Sequence, residues 1–568
     1  MIRTLASLFH LAWRVGATSA LGLLLVAMPA TAQVPANSQP KTGGTLRMAT
    51  SAAPATLNPY FDNGAPTRLL ANLDLQGLAR VAPDGSYLPV LAAEIPTQAN
   101  GDVSPDGTVV TWKLKPGVTW SDGQPFSSRD VVFTYQMIMD PTNPVGDRSD
   151  YVVMDSVAAS GDNTVVVTYK QLYAPYRLAF PSVFPAHVFN DQTSIAQDPF
   201  NTATTVGTGP FVFKSWVSGD SITFDRNPNY REPGKPYLDE VIEKVTPDKA
   251  SEIQAMEAGD VDAAWFLDPT YLPLLATLAD VSVDPAPGPQ SGVWQVFINT
   301  SCPSGPQQGD PTCPHPVLGD VRVRQAIDMA IDKQALVHTL MADKVKVAGS
   351  LLPVGPYAVD LPPTEFSPEK AQQLLDQAGW VVGSDGIRGK GTVRAHLTLF
   401  NGLGNRLAEE TAQVIASDLQ AVGIETETKE LLPTVLAGGF AAKSPLSLGN
   451  FDLALFIRNV PIDPQAYVHS QYASDQVPNP QLQTGLNWDR IQDPKLDQAL
   501  TAAGNTLDDT QRQAAYASVS ELIQADKPII PLFPSLQVDA RKNYVQGWGR
   551  TNVNDFVTWN VQDWWLDQ

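Results

Sequence analysis

Six histidines, two cysteines and 59 acidic side chains are the groups in this chain that could transfer protons, attack a substrate or hold a metal. Zinc hydrolysis of the H-E-x-x-H type needs two imidazoles on one helix face with a glutamate beside the first. His10, His187, His315, His338, His396 and His469 are scattered and form no such pair. Serine acyl transfer on an α/β scaffold needs a G-x-S-x-G elbow, and the chain has none. Two carboxylates could still converge as a glycoside-hydrolysing pair, but nothing in their spacing selects one.

Two glycine-rich turns invite comparison with nucleotide sites and fail it. Gly207-Thr208-Gly209-Pro210-Phe211 lacks the Gly-Lys-Ser/Thr ending of a phosphate-cradling loop and opens no helix, so it reads as the entry to a strand. Gly402-Leu403-Gly404 has Leu407 where a dinucleotide fingerprint needs its third glycine, so it reads as a tight turn. Cys302 and Cys313 suit one disulfide closing a short Pro/Gly-rich loop in an oxidising compartment. A metal there would want more ligands than His315 adds. No metal and no cofactor are expected.

The elements that would position any site alternate between strands and helices, which predicts an α/β fold. Residues 104–141 are the most legible stretch. A Pro105-Asp106-Gly107 turn leads into a strand with Val110, Trp112 and Leu114 on one face and Val109, Thr111 and Lys113 on the other. Pro116-Gly117 and Asp122-Gly123 break the chain again. Ser127 or Ser128 then caps a helix with Asp130 in its first turn, ended by Pro141. Further on, a strand is expected at 43–49, a helix at 68–78 and a strand at Thr164–Tyr169. Asp248 caps a helix stopped by Gly259, with a strand at 261–265. Asp320 and Ser367 cap two more helices, the second ended by Gly379. Strand 395–400, helix 405–422 and strand 425–429 make a βαβ unit, which predicts a parallel pair.

Lys+Arg 38 against Asp+Glu 59 gives a net charge of −21, a surface that repels phosphate backbones and anionic lipid, so nucleic acid is excluded as a natural partner. The first 32 residues differ from the rest. Arg3 and Arg14 precede or open an apolar run over 15–28, and Ala30-Thr31-Ala32 has the small-x-small form of a cleavage site. The run is shorter than the roughly 20 residues of a membrane anchor. A cleaved secretory signal is expected, with no cysteine placed to carry a lipid, and residues 33–42 read as a disordered lead-in. The expected location is the periplasm.

The words S-P-D-G-T (104–108), L-K-P-G (114–117), W-S-D-G-Q-P-F (120–126) and the capped helix after them resemble the signature of the extracytoplasmic solute-binding proteins of ABC importers, in the large family of dipeptide, oligopeptide and nickel binders. A-P-A-T-L-N-P-Y (53–60), G-T-G-P-F (207–211), R-N-P-N-Y (226–230), E-A-G-D-V-D-A-A-W (257–265), D-x-R-x-R-Q-A (320–326) and the wording of 531–548 extend the resemblance over nearly all of the mature chain. It implies a two-lobed α/β periplasmic binding protein with a hinge, a discontinuous first lobe and an extra domain. The expected division is 1–32 signal, 33–42 lead-in, 43–84, 205–292 and 531–568 domain I, 85–204 domain II, and 293–530 domain III as the second lobe.

The implied function is capture of oligopeptides for an inner-membrane ABC permease with its ATPase, by a monomer that is not an enzyme. The alternatives are another solute on the same fold, such as an oligosaccharide or a metal chelate, or a secreted hydrolase. Peptide-binding members hold the ligand's amine with an aspartate in a loop after a third-domain strand. The matching stretch is 451–470, where Asp463 is the acid near the expected place and could instead form an Asp-Pro turn with Pro464. Asn459 lies in the same stretch. Dipeptide binders take the carboxylate with an arginine before the strand ending Asn-Thr. Here Pro289-Gln290-Ser291-Gly292-Val293 has no basic residue, so the ligand is either longer than a dipeptide or not a peptide. Trp294, Gln295, Trp265 and Trp488 are candidate pocket walls, tryptophan offering a large apolar face with one donor.

Overall fold

A computed structural model describes residues 39–286, 292–480, 485–549 and 556–568. The signal expected over 1–32, residues 33–38 of the lead-in, and Pro289, Gln290 and Ser291 lie outside the described residues. Pro40–Gln568 form one unit.

β1 (Thr45–Thr50) and α1 (Ala65–Asp74) come first. The helix expected over 68–78 therefore begins and ends earlier. Pro66 suits the first turn, where a missing N–H costs nothing. Beyond Asp74 the chain must pass tightly against 180–181: a Cβ at Gly77 would stand 2.4 Å from the Phe180 carbonyl oxygen. Tertiary packing overrides helical propensity there.

β2 (Val109–Lys113), α2 (Ser128–Met139), β3 (Met154–Ala159) and β4 (Thr164–Tyr169) follow. They build a three-stranded sheet in the order β2-β4-β3. Val110, Trp112 and Leu114 are buried as the alternation requires, and they share a core with Val131 and Ile138 of α2. Ser127 is the cap: its side chain accepts from the Arg129 N–H, and Asp130 Oδ2 accepts from the Ser127 N–H at 2.9 Å.

β5 (Phe211–Val217), β6 (Ser221–Arg226), β7 (Glu240–Val245), α3 (Lys249–Ala258), β8 (Ala263–Leu267) and β9 (Val281–Ala286) come next. Asp248 caps α3 through the Ser251 N–H at 2.8 Å, and Gly259 ends it at φ 80°, where a side chain would be strained. Then come β10 (Gly292–Ile298), α4 (Val321–Ala330), β11 (His396–Gly402), α5 (Arg406–Ala421), β12 (Glu425–Leu431), β13 (Leu453–Asn459), α6 (Gln465–Tyr472), α7 (Pro494–Gly504), α8 (Asp509–Asp526), β14 (Ile529–Pro534) and β15 (Gln537–Lys542). Asp320 and Ser367 cap Val321–Ala330 and Pro368–Gln377 as expected.

Two large sheets organise these elements. The first runs β9-β15-β8-β1-β7-β6-β5 and the second β12-β11-β13-β10-β14. β11 and β12 are parallel, as the βαβ pattern predicts. β14 pairs with β10, so the expected border at 530/531 falls inside a strand of the second sheet. One face of the first sheet packs Leu46, Phe224, Val241 and Trp265 against Leu69 and Leu73 of α1. One face of the second sheet, with Trp294 and Val296, joins a core that also takes in Ala264, Val538 and Ala540 of the first. Its other face buries Val293 and Phe297 against Tyr516 and Val519 of α8.

Cys302 and Cys313 form a disulfide with Cα atoms 5.4 Å apart, in the loop between β10 and α4. His315 beside them braces the same loop. Its Nε2 lies 2.9 Å from Asp452 Oδ1, and its Nδ1 accepts from the Val317 and Leu318 N–H groups. Closing so short a loop stabilises the fold by about 3 kcal/mol through the unfolded chain's lost entropy. Replacing both cysteines by serine should lower the urea midpoint accordingly. A midpoint indifferent to both the substitution and added reductant would show that the bridge contributes nothing.

Candidate functional site

A cavity of about 330 Å³ opens where five stretches of chain meet. Residues 59–81 supply Tyr60, Asn63, Arg68 and Arg80, residues 147–151 supply Asp147 and Asp150, residues 178–182 supply Ser182, and Ile462 and Phe556 complete the lining. The volume sits at the small end of the range of about 300–1,000 Å³ usual for small-molecule sites.

The walls are held by buried polar contacts. The Tyr60 hydroxyl donates to the Ser182 carbonyl at 2.5 Å, and its ring meets Tyr151 edge-on with centroids 6.2 Å apart. Asn58, just before it, clasps Asn201 amide to amide at 2.8 Å. Gly77 lets this wall close on 180–181. The Arg68 guanidinium lies over the Phe556 ring at 5.3 Å from its centroid, and Arg80 donates to the Trp559 carbonyl. Asp147 Oδ1 accepts from the Ser149 N–H at 2.8 Å, and Asp150 accepts from the Tyr173 hydroxyl. Asp150 is exposed to open space, but the protein crowding its recess raises its pKa above the ordinary carboxylate value; the Tyr173 hydrogen bond opposes the rise, and the charges of Asp147 and Asp463 add to it.

Beside the cavity lies a charged cluster that joins distant stretches of the chain. Asp463 and Arg512 are paired through both oxygens and both terminal nitrogens, at 2.6 and 2.7 Å, with side chains only 2% exposed. Arg512 also donates to the Tyr357 and Tyr516 hydroxyls at 2.7 and 2.9 Å, and its guanidinium stacks 4.7 Å from the Tyr357 centroid. Tyr357 donates to Asp509 Oδ1 at 2.6 Å, and Asp509 Oδ2 takes Arg177 at 3.0 Å. Arg177 in turn lies over Tyr87. The cluster thus ties the chain around the small sheet to α8 behind the second sheet.

Asp463 is therefore not a free carboxylate awaiting a ligand's amine. Its charge is met by Arg512, and its Oδ1 accepts from the Gln465 N–H at 3.1 Å, the turn that Asp-Pro favours. The other candidates fall in separate places. Trp265 is buried against α1, its indole donating to Glu243 at 2.7 Å. Trp294 is in the core shared by the two large sheets. Trp488 is buried on the other face of the second sheet, 3.9 Å from the Arg458 guanidinium. Gln295 is fully buried in β10, and Asn459 is exposed at the end of β13. None of the six lines the cavity. The residues that do, Asp150 and Arg80 above all, have no spacing that singles them out, and Arg512 is 49 residues from the acid it holds. A second groove of about 520 Å³, between α7 and α8, shares no residue with the cavity. Among the described residues no three His, Cys, Asp or Glu side chains are grouped to hold a metal, and no helix is long and apolar enough to cross a membrane.

Residues 86–479 match the family described as bacterial extracellular solute-binding proteins, family 5 Middle. Protein XP55 of Streptomyces lividans is 30% identical over 485 residues, covering 83% of this chain and 80% of that one. The oligopeptide-binding protein AppA of Bacillus subtilis (strain 168) is 24% identical over 545 residues, covering 93% and 92%. The crystal structure of NikZ from Campylobacter jejuni in complex with Ni(L-His) superposes with a TM-score of 0.70 at 24% identity, covering 92% of this chain and 99% of that one. The fold is the two-lobed α/β fold that the sequence words imply. The chain belongs to family 5 of the bacterial extracellular solute-binding proteins.

Proposed function

We propose that this protein captures short peptides between its lobes and hands them to an ABC importer. The observation that carries the reading is the cavity: one small recess, built from distant stretches of chain, that collects arginines and aspartates in equal number. Ligands bearing both charges suit such a recess, because an unmatched charge of either sign would be desolvated without compensation. The relationship to an oligopeptide-binding protein supports the same substrate class. Residues 1–32 would serve as a cleaved secretory signal that takes the protein to the periplasm, where it would act as a monomer and a binder rather than an enzyme. Its partner would be an inner-membrane permease with its ATPase. Domain I would comprise 43–84, 205–292 and the chain after β14, with domain II at 85–204 and domain III carrying the second sheet.

The test is mass spectrometry of small molecules released when the natively purified protein is denatured. Short peptides returned intact are expected. A single sugar, metal chelate or other metabolite would overturn the peptide reading while leaving the family unchanged.

A further inference from the structure

We propose that Asp150, helped by Asp147, receives the ligand's ammonium group and Arg80 its carboxylate, so that the cavity selects short peptides with both termini free. This rests on the peptide-binding reading above and assigns the two ends.

The argument begins from charges that lack partners. Asp463 is committed to Arg512, so the second lobe offers no free carboxylate at the expected place. Across the cavity, neither Asp147 nor Asp150 has a lysine or arginine within 4.0 Å among the described residues. Asp150 receives one hydrogen bond, from Tyr173, which leaves its second oxygen open, and Asp147 spends one oxygen on its own turn. Two like charges three residues apart on one turn, with Asp463 adding to their field, are relieved by a cation entering between them and the cavity.

Arg80 is the counterpart. It donates through Nη1 to the Trp559 carbonyl but meets no carboxylate among the described residues, and its Nη2 has no hydrogen-bond partner among them. A guanidinium fork with an unused donor is suited to a planar carboxylate. The acids stand on the 147–151 wall and the arginine on the 59–81 wall, so a bound zwitterion would lie from one to the other. With two arginines and two aspartates in the lining, a ligand of zero net charge leaves the cavity balanced.

The test is calorimetry on the full mature chain freed of ligand, with trialanine, N-acetyl-trialanine and trialanine amide as probes, on wild type, Asp150→Asn and Arg80→Gln. Wild type is expected to bind trialanine and to lose about 30-fold or more in affinity when either end is blocked. Asp150→Asn should erase the penalty for acetylation, and Arg80→Gln the penalty for amidation, each leaving the other penalty in place. Blocked probes that bind wild type as well as trialanine, or penalties that persist in the matching variant, overturn the assignment while the peptide reading stands. Failure of wild type to bind trialanine or a mixed tripeptide library overturns both. Should either variant fail to fold, Asp147→Asn and Arg80→Lys carry the same comparison, each expected to shrink the penalty at its own end only, and penalties unchanged in both overturn the assignment.

Discussion

Arg512→Met is expected to destabilise the second lobe by about 3–5 kcal/mol, because it strands the Asp463 carboxylate in the protein interior. The pair is held at two points, both side chains are 2% exposed, and the arginine is boxed by Tyr357 and Tyr516. Burying such a pair is costly in itself, so its removal as a pair is far milder than its removal by halves. The double variant Asp463→Leu with Arg512→Met should recover most of the lost stability. Thermal unfolding of the single and double variants reads this directly. A single variant within about 1 kcal/mol of wild type would mean that water already reaches the pair. The outcome also separates two roles for Asp463: a ligand anchor would change affinity and leave the melting temperature of the empty protein alone.

Stability should fall as pH rises from about 4 to about 8. Burial pushes the Asp74 carboxyl up to about 8, against a hydrogen bond from the Thr204 hydroxyl. Burial likewise pushes Glu243 up to about 8, against the Trp265 indole, with Glu252 adding repulsion. In the unfolded chain both groups ionise near their ordinary values of 3.8 and 4.5. Between those values and 8 the folded protein holds protons that the unfolded chain has released, so raising the pH favours unfolding. Each group contributes a slope of up to about 1.4 kcal/mol per pH unit in that window. Asp74→Asn and Glu243→Gln, which keep the shape without the charge, should flatten the decline when melting temperatures at pH 5 and pH 8.5 are compared. Equal slopes in wild type and the double variant would sink the prediction.

Local structure was legible where a short stretch carries its own instructions. The alternation at 109–114, the caps at Ser127, Asp248, Asp320 and Ser367, and the parallel pair β11 and β12 are all decided by residues within a few positions of one another. The end of α1 was not, because the chain's close approach at Gly77 involves residues a hundred positions downstream. The site was least legible of all. Trp265, Trp294 and Trp488 sit in three different cores, and a tryptophan that packs a core obeys the same burial pattern as one that lines a pocket. Asp463 is an acid in the expected loop, but only the folded chain brings Arg512 to it. The family wording gives the scaffold.

The strand order of the first sheet bears on how this protein comes into being. β15 lies between β8 and β9, so those two strands, close in sequence, touch only through a third that is made last. The Phe266 N–H, which ends its search at Asp539, waits for a residue 273 positions away. Until synthesis passes Lys542, the growing polypeptide carries two unsatisfied strand edges that can pair with any other chain in reach. Contacts of such long range also slow the final collapse. Protection of the nascent chain over that interval is thus written into the order of its strands.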